Sequence, residues 1–218
     1  MGWDIVRVYT LPNKSVIDYF KTIPVVKSIY LVNDTRGVDK HARENIFSDI
    51  TTEYSYLRHG LPDGGLLAMV PEVKTGFYGE FVNEDKIMEP ITNDYGVINE
   101  LAAIPELNIS HFNLFYLLKQ IHDQTRVPIM YFQEAMWGGP CGDDLAVVFD
   151  GDIVVYRGHG QIENVFQVVK NPDVEAQTTI LQKGLEHLGL ILPGNYFALH
   201  TRRFDWGSYL IFHRGEFE

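Results

Sequence analysis

The chain has 218 residues, enough for a substantial core in one large domain or two small ones. Its hydrophobic fraction of 45% and charged fraction of 22% are those of a folded soluble protein and exclude a disordered chain. The formal net charge of −11 argues against a nucleic-acid-binding face, because phosphate recognition draws on clustered Lys and Arg, and here these are spread thinly.

No apolar run approaches the ~20 residues of a membrane helix. The first residues include Asp4 and lack a basic stretch followed by an apolar one, so no secretory signal is expected. Cys141 is the only cysteine, which rules out an internal disulfide and makes a cytoplasmic location the simplest expectation.

Asp4 to Tyr9 alternates as a strand. Pro12 and Asn13 interrupt it, and Ser15 to Phe20 reads as a short helix. Val25 to Val32 is rich in β-branched residues and predicts a second strand. From Asp39 the period changes. Ile46, Phe47, Ile50, Tyr54 and Leu57 recur at helical spacing, and Gly60 and Pro62 supply a stop, predicting a helix over Lys40 to Arg58. Leu66 to Val70 and Phe77 to Val82 read as strands, and Tyr95 to Ala103 as a short helix closed by Pro105.

Ser110 is a good N-cap, with Ile109 and Leu114 at staple positions, so a helix is expected from Ser110 to Gln124. Leu114, Phe115, Leu118 and Ile121 form its buried stripe. Val127 to Gln133 follows as a strand. Asp150-Gly151 lies between two apolar runs, Leu145 to Phe149 and Ile153 to Tyr156. This residue pair suits a type I′ turn, in which both central positions need φ > 0, so a hairpin over 149–154 is expected. Both runs are apolar on both faces, which predicts central, covered strands. Asn164 to Val169 is a further strand candidate.

The next helix carries Asn171 as cap and Pro172 at its first position, and Gly189 ends it. Its stripe is Val174, Leu181, Leu185 and Leu188. Tyr196 to His200 and Ser208 to Phe212 close the chain as strands. The expectation is an α+β fold, a mainly antiparallel sheet packed by three or four helices, in a single domain over 1–218 with a weak seam near Pro105.

The segment Trp137-Gly138-Gly139-Pro140-Cys141-Gly142-Asp143-Asp144 is the leading site candidate. It reads as a tight glycine loop holding the only cysteine, followed by two carboxylates. A nucleophilic cysteine needs a base, and the hairpin returns the chain so that His159 can meet Cys141, with Asp143 or Asp144 orienting the imidazole. Against this, a strand and not a helix N-terminus follows Cys141, and the acidic balance raises a thiol's pKa. The histidines form no His-x-His or His-Glu-x-x-His motif, and His111 and His122 lie about 16 Å apart on one helix, so no metal is expected. No phosphate-cradling glycine motif is present and no cofactor is expected.

Pro62-Asp63 and Glu72-Val73-Lys74 resemble, in a few letters, the Pro-Asp and Glu-x-Lys signature of restriction-endonuclease-like nucleases. In this chain the two carboxylates bracket one strand, nine steps or about 30 Å apart, and cannot share a metal.

What remains is a binding reading. The composition fits a soluble acidic module of immunity or inhibitor type that masks a basic protein partner, engaging neither nucleic acid nor membrane. Its expected surface is Trp137, Gly138, Gly139, Asp143 and Asp144, with Asp150 and Asp152 at the far end of the hairpin. The alternative is a cysteine hydrolase or transferase built on Cys141, His159 and Asp144.

Overall fold

The computed structural model describes residues 3–33, 63–76, 79–83, 112–137, 141–161, 180–190 and 206–215. The helices expected over 40–58 and 95–103 lie outside these residues. So do the strands expected over 164–169 and 196–200 and the caps Ser110, Asn171 and Pro172.

In chain order the strands are β1 (Trp3–Thr10), β2 (Val26–Val32), β3 (Leu66–Pro71), β4 (Val73–Gly76), β5 (Gly79–Val82), β6 (Ile129–Trp137), β7 (Cys141–Asp150), β8 (Asp152–Gln161) and β9 (Leu210–His213). The helices are α1 (Lys14–Thr22), α2 (Phe112–Thr125) and α3 (Ile180–Glu186), with a 3-10 turn at Trp206–Tyr209. Seven strands form one sheet in the order β8-β7-β6-β1-β3-β2-β9, while β4 and β5 pair separately. Every pairing among the described residues is antiparallel. The fold is therefore α+β. Because β1 lies between β6 and β3, strands from both sides of Pro105 share the sheet.

Alternation along the strands loads both faces with apolar side chains. Val6, Val8, Ile129, Tyr131, Leu145, Val147 and Phe149 join one core with Val16 and Phe20 of α1 and Leu114, Phe115, Leu118 and Ile121 of α2. The intervening residues Tyr9, Met130, Phe132, Ala146 and Val148 join a second core with Leu181 and Leu185 of α3. Strand period two thus divides one sheet between two helical layers. β7 is covered on both faces, as its apolar run predicts. β8 is the last strand in the order among the described residues, not a central one, and its Ile153 to Tyr156 run is only partly buried.

Local chemistry fixes the helix ends. Asn13 caps α1, its Oδ1 accepting from the Ser15 and Val16 amides at 2.8 and 3.4 Å. Gly189 ends the third helix in a Schellman arrangement. It sits at φ +72, Leu190 N–H donates to Leu185 O at 3.1 Å, and Gly189 N–H donates to Glu186 O at 3.0 Å.

The β7–β8 ladder turns at Gly151, which alone takes positive φ, at +77. Asp150 does not, so the type I′ turn expected from Asp-Gly is not formed; Asp150 and Asp152 face each other across the single glycine. The tip is tied down by His122, a buried residue of α2. Its Nε2 accepts from Gly151 N–H at 3.0 Å and its Nδ1 donates to Val127 O at 2.8 Å.

Candidate functional site

The segment read as a glycine loop is mostly strand. β6 runs through Trp137 and β7 begins at Cys141, and these two residues are paired, leaving positions 138–140 to connect them. Gly138 and Gly139 lie outside the described residues. Cys141, Asp143 and Asp144 are ladder residues, not loop residues. The local signal was masked because Gly142 and two aspartates are poor strand formers, whereas pairing on both sides holds them extended.

Two adjacent rows of the ladder collect carboxylates at this end of the sheet. One row runs Asp4, Ala135, Asp143, His159 across β1, β6, β7 and β8. The next runs Ile5, Glu134, Asp144, Gly158. Four acidic positions thus occupy three neighbouring strands. Asp4 and Glu134 had no distinguishing signal in the sequence: the β6–β7 register sets Glu134 opposite Asp144, and the β1–β6 register sets Asp4 in the row of Asp143.

Glu134 and Asp144 are directly opposed, an unfavourable arrangement for two like charges. The consequence falls on Glu134. Its carboxyl is pushed from an ordinary value of 4.5 up to about 7, first by burial and then by the charge of Asp144. On the same face, Tyr9 is fully buried. Its phenol is pushed well up by that burial, partly offset by Arg7 and reinforced by Glu134. Arg7 places its guanidinium 5.5 Å from the Trp206 ring centroid, and Trp206 meets Tyr30 edge-on at 5.3 Å. Arg7 Nη1 donates to Val6 O at 2.8 Å, while its Nε is buried without a hydrogen-bond partner among the described residues.

For the cysteine constellation, register decides which positions share a face. Cys141 pairs with Gln161 and Asp143 pairs with His159, so positions 141, 143 and 159 fall on one face. Asp144 is one residue along, pairs with Gly158, and belongs to the opposite face. Register therefore sets position 143, not 144, opposite position 159. Cys141 and His159 are diagonal neighbours, at a typical separation of about 7–8 Å for such positions.

The second acidic end, Asp150 and Asp152, lies at the other end of the ladder. Six steps separate Asp144 from Asp150, about 20 Å at strand rise. Asp63 and Glu72 bracket β3, and Glu72 Oε1 accepts from Asn83 Nδ2 at 3.1 Å. Among the described residues, no three His, Cys, Asp or Glu side chains are grouped to hold a metal ion, and no helix is long and apolar enough to cross a membrane.

Two histidine constellations have no counterpart in the sequence reading. Ser28 Oγ and His213 Nδ1 lie 2.8 Å apart across β2 and β9, with Ser28 buried. At the hairpin tip, His187 Nε2 lies 3.0 Å from Tyr156 Oη, and its Nδ1 lies 3.3 Å from Asp150 Oδ2. Linear sequence separates His187 from Tyr156 and Asp150 by 31 and 37 residues. The only local signals were the Asp150-Gly151 turn and the Gly189 helix stop, which place Asp150 and His187 at the ends of their elements.

Comparison with known protein families, with curated proteins and with solved structures finds no match.

Proposed function

We propose that this chain is a protein-binding domain whose acidic sheet end masks a basic surface of a partner, in the manner of an immunity or inhibitor protein. The observation that supports it is the direct opposition of Glu134 and Asp144 across β6 and β7, at a sheet end whose neighbouring row holds positions 4 and 143 on the opposite face. Two carboxylates opposed in this way raise one another's energy, and a partner's Lys or Arg relieves that repulsion. A rigid sheet carries them, so little ordering entropy is lost on binding. The chain acts as a single unit over 1–218, and its lone cysteine suits a reducing cytoplasm.

The test compares wild type with the Asp143→Asn/Asp144→Asn double variant as bait at low and high salt, with quantitative identification of what each retains. A basic protein held by wild type, lost in the variant and lost at high salt, is the expected result. Equal retention by both baits refutes the reading.

The register also favours a second reading, a hydrolase or transferase with Cys141 as nucleophile, His159 as base and Asp143, in place of Asp144, as orienter. It requires the Cys141 alkylation rate to fall at least tenfold in His159→Ala. An unchanged rate removes it.

A further inference from the structure

The hairpin tip carries a second, independent constellation about 20 Å from Asp144 along β7. Asp150 Oδ2, His187 Nδ1, His187 Nε2 and Tyr156 Oη form one continuous hydrogen-bonded chain, with steps of 3.3 and 3.0 Å. An ionised carboxylate only accepts, so Nδ1 carries the imidazole proton. Nε2 then presents its lone pair to Tyr156, whose hydroxyl donates to it. This is the geometry of a base oriented by an acid and aimed at a hydroxyl.

The three residues sit on rigid supports. Tyr156 is held in β8 by pairing with Ala146 of β7, and Asp150 ends that same strand. His187 follows directly on α3, which the Schellman turn at Gly189 closes. The third helix seats closely on the sheet because Gly184 lacks a side chain. A Cβ there would lie 2.5 Å from Met130 Cε and 3.2 Å from Ala146 Cβ. The side chains of His187 and Asp150 are 25% and 42% exposed, and Tyr156 is half-buried at the edge of the second core.

We propose that Tyr156 is a nucleophilic phenol, with His187 as its general base and Asp150 as the positioning residue, and that neutral acyl donors are the electrophiles it takes. The charge balance selects the donor. Asp150 and Asp152 flank the tip and the chain is net acidic, so anionic phosphoryl or sulfuryl donors are repelled and uncharged esters are not. In the step, a Tyr156 Oη lone pair attacks the ester carbonyl carbon. The bond to the leaving oxygen breaks with its electron pair, and the phenol proton passes to His187 Nε2 and on to solvent. The product is an aryl ester at Tyr156.

The experiment treats the full chain with p-nitrophenyl acetate, follows p-nitrophenolate release, and maps acetyl groups by peptide mass spectrometry. Tyr156 is expected to acetylate at least tenfold faster than exposed Tyr19. His187→Gln, which can still hydrogen-bond the phenol but cannot take its proton, should lower the Tyr156 rate at least tenfold. Asp150→Asn should lower it less, with recovery in Asp150→Glu. A Tyr156 rate equal to that of Tyr19, or unchanged in His187→Gln, overturns the proposal. So does release that survives Tyr156→Phe but not His187→Gln, which makes His187 itself the nucleophile. Tyr156→Phe alters one hydroxyl, so it keeps the question decidable should His187→Gln fail to fold.

Discussion

Replacing Glu134 by Gln should stabilise the protein above neutrality and leave it nearly unchanged in acid. Burial and the opposed Asp144 hold the Glu134 carboxyl at about 7, against 4.5 in the absence of these effects. At about 1.4 kcal/mol per tenfold change, that rise corresponds to about 3 kcal/mol. Between pH 4.5 and 7 the folded state keeps a proton that the unfolded state has released. Folding is therefore favoured most below 4.5, and this contribution is lost as pH rises through about 7. Glutamine keeps the shape and polarity of the protonated acid and does not titrate. The stability difference between Glu134→Gln and wild type should be near zero at pH 4.5 and about 3 kcal/mol in favour of the variant at pH 8.5, a gain of roughly 6–12 °C in Tm for a chain of this size. Thermal and urea unfolding of both proteins at several pH values measures it. A difference that stays constant across pH would refute the reasoning, because the effect would then come from packing and not from the displaced titration.

Asp144→Asn removes only the second cause of the Glu134 shift. The Glu134 titration, followed by carboxyl carbon NMR, should therefore move down but stay above 4.5. If the sheet end binds a basic partner, affinity should increase between pH 6 and 8 as Glu134 gains its charge, and this increase should vanish in Glu134→Gln, as read by calorimetry. His122→Ala strips partners from both Gly151 N–H and Val127 O; at about 1–3 kcal/mol per group left unsatisfied, the loss should appear in urea unfolding, and amide exchange at Gly151 should accelerate. Gly65→Ala sets a Cβ 2.4 Å from Val32 O at φ +100, whereas Gly151→Ala meets nothing within 4 Å at φ +77. The second should cost only the left-handed backbone, about 1–2 kcal/mol, and the first clearly more, by denaturant midpoint.

Where a signal is carried by one element, the sequence showed it. The stripe of α2, the stop at Gly189 and the apolar runs on either side of Gly151 each state a local preference that packing reinforces. What was not legible is long-range pairing. β1 and β6 lie more than a hundred residues apart in the chain, yet their register sets Asp4 in the same row as Asp143, with Ala135 between them. A strand's composition reports which faces it buries, not which strand lies beside it. The same gap explains the choice of Asp144 over Asp143 as partner to His159. Read as a loop, both aspartates can reach the histidine, but once paired, the period of two sends adjacent residues to opposite faces. The Tyr156, His187 and Asp150 chain is the extreme case. Each residue satisfied an ordinary local role as strand, helix-end or turn residue, and only the docking of α3 against β7 and β8 turns three unremarkable positions into one hydrogen-bonded chain.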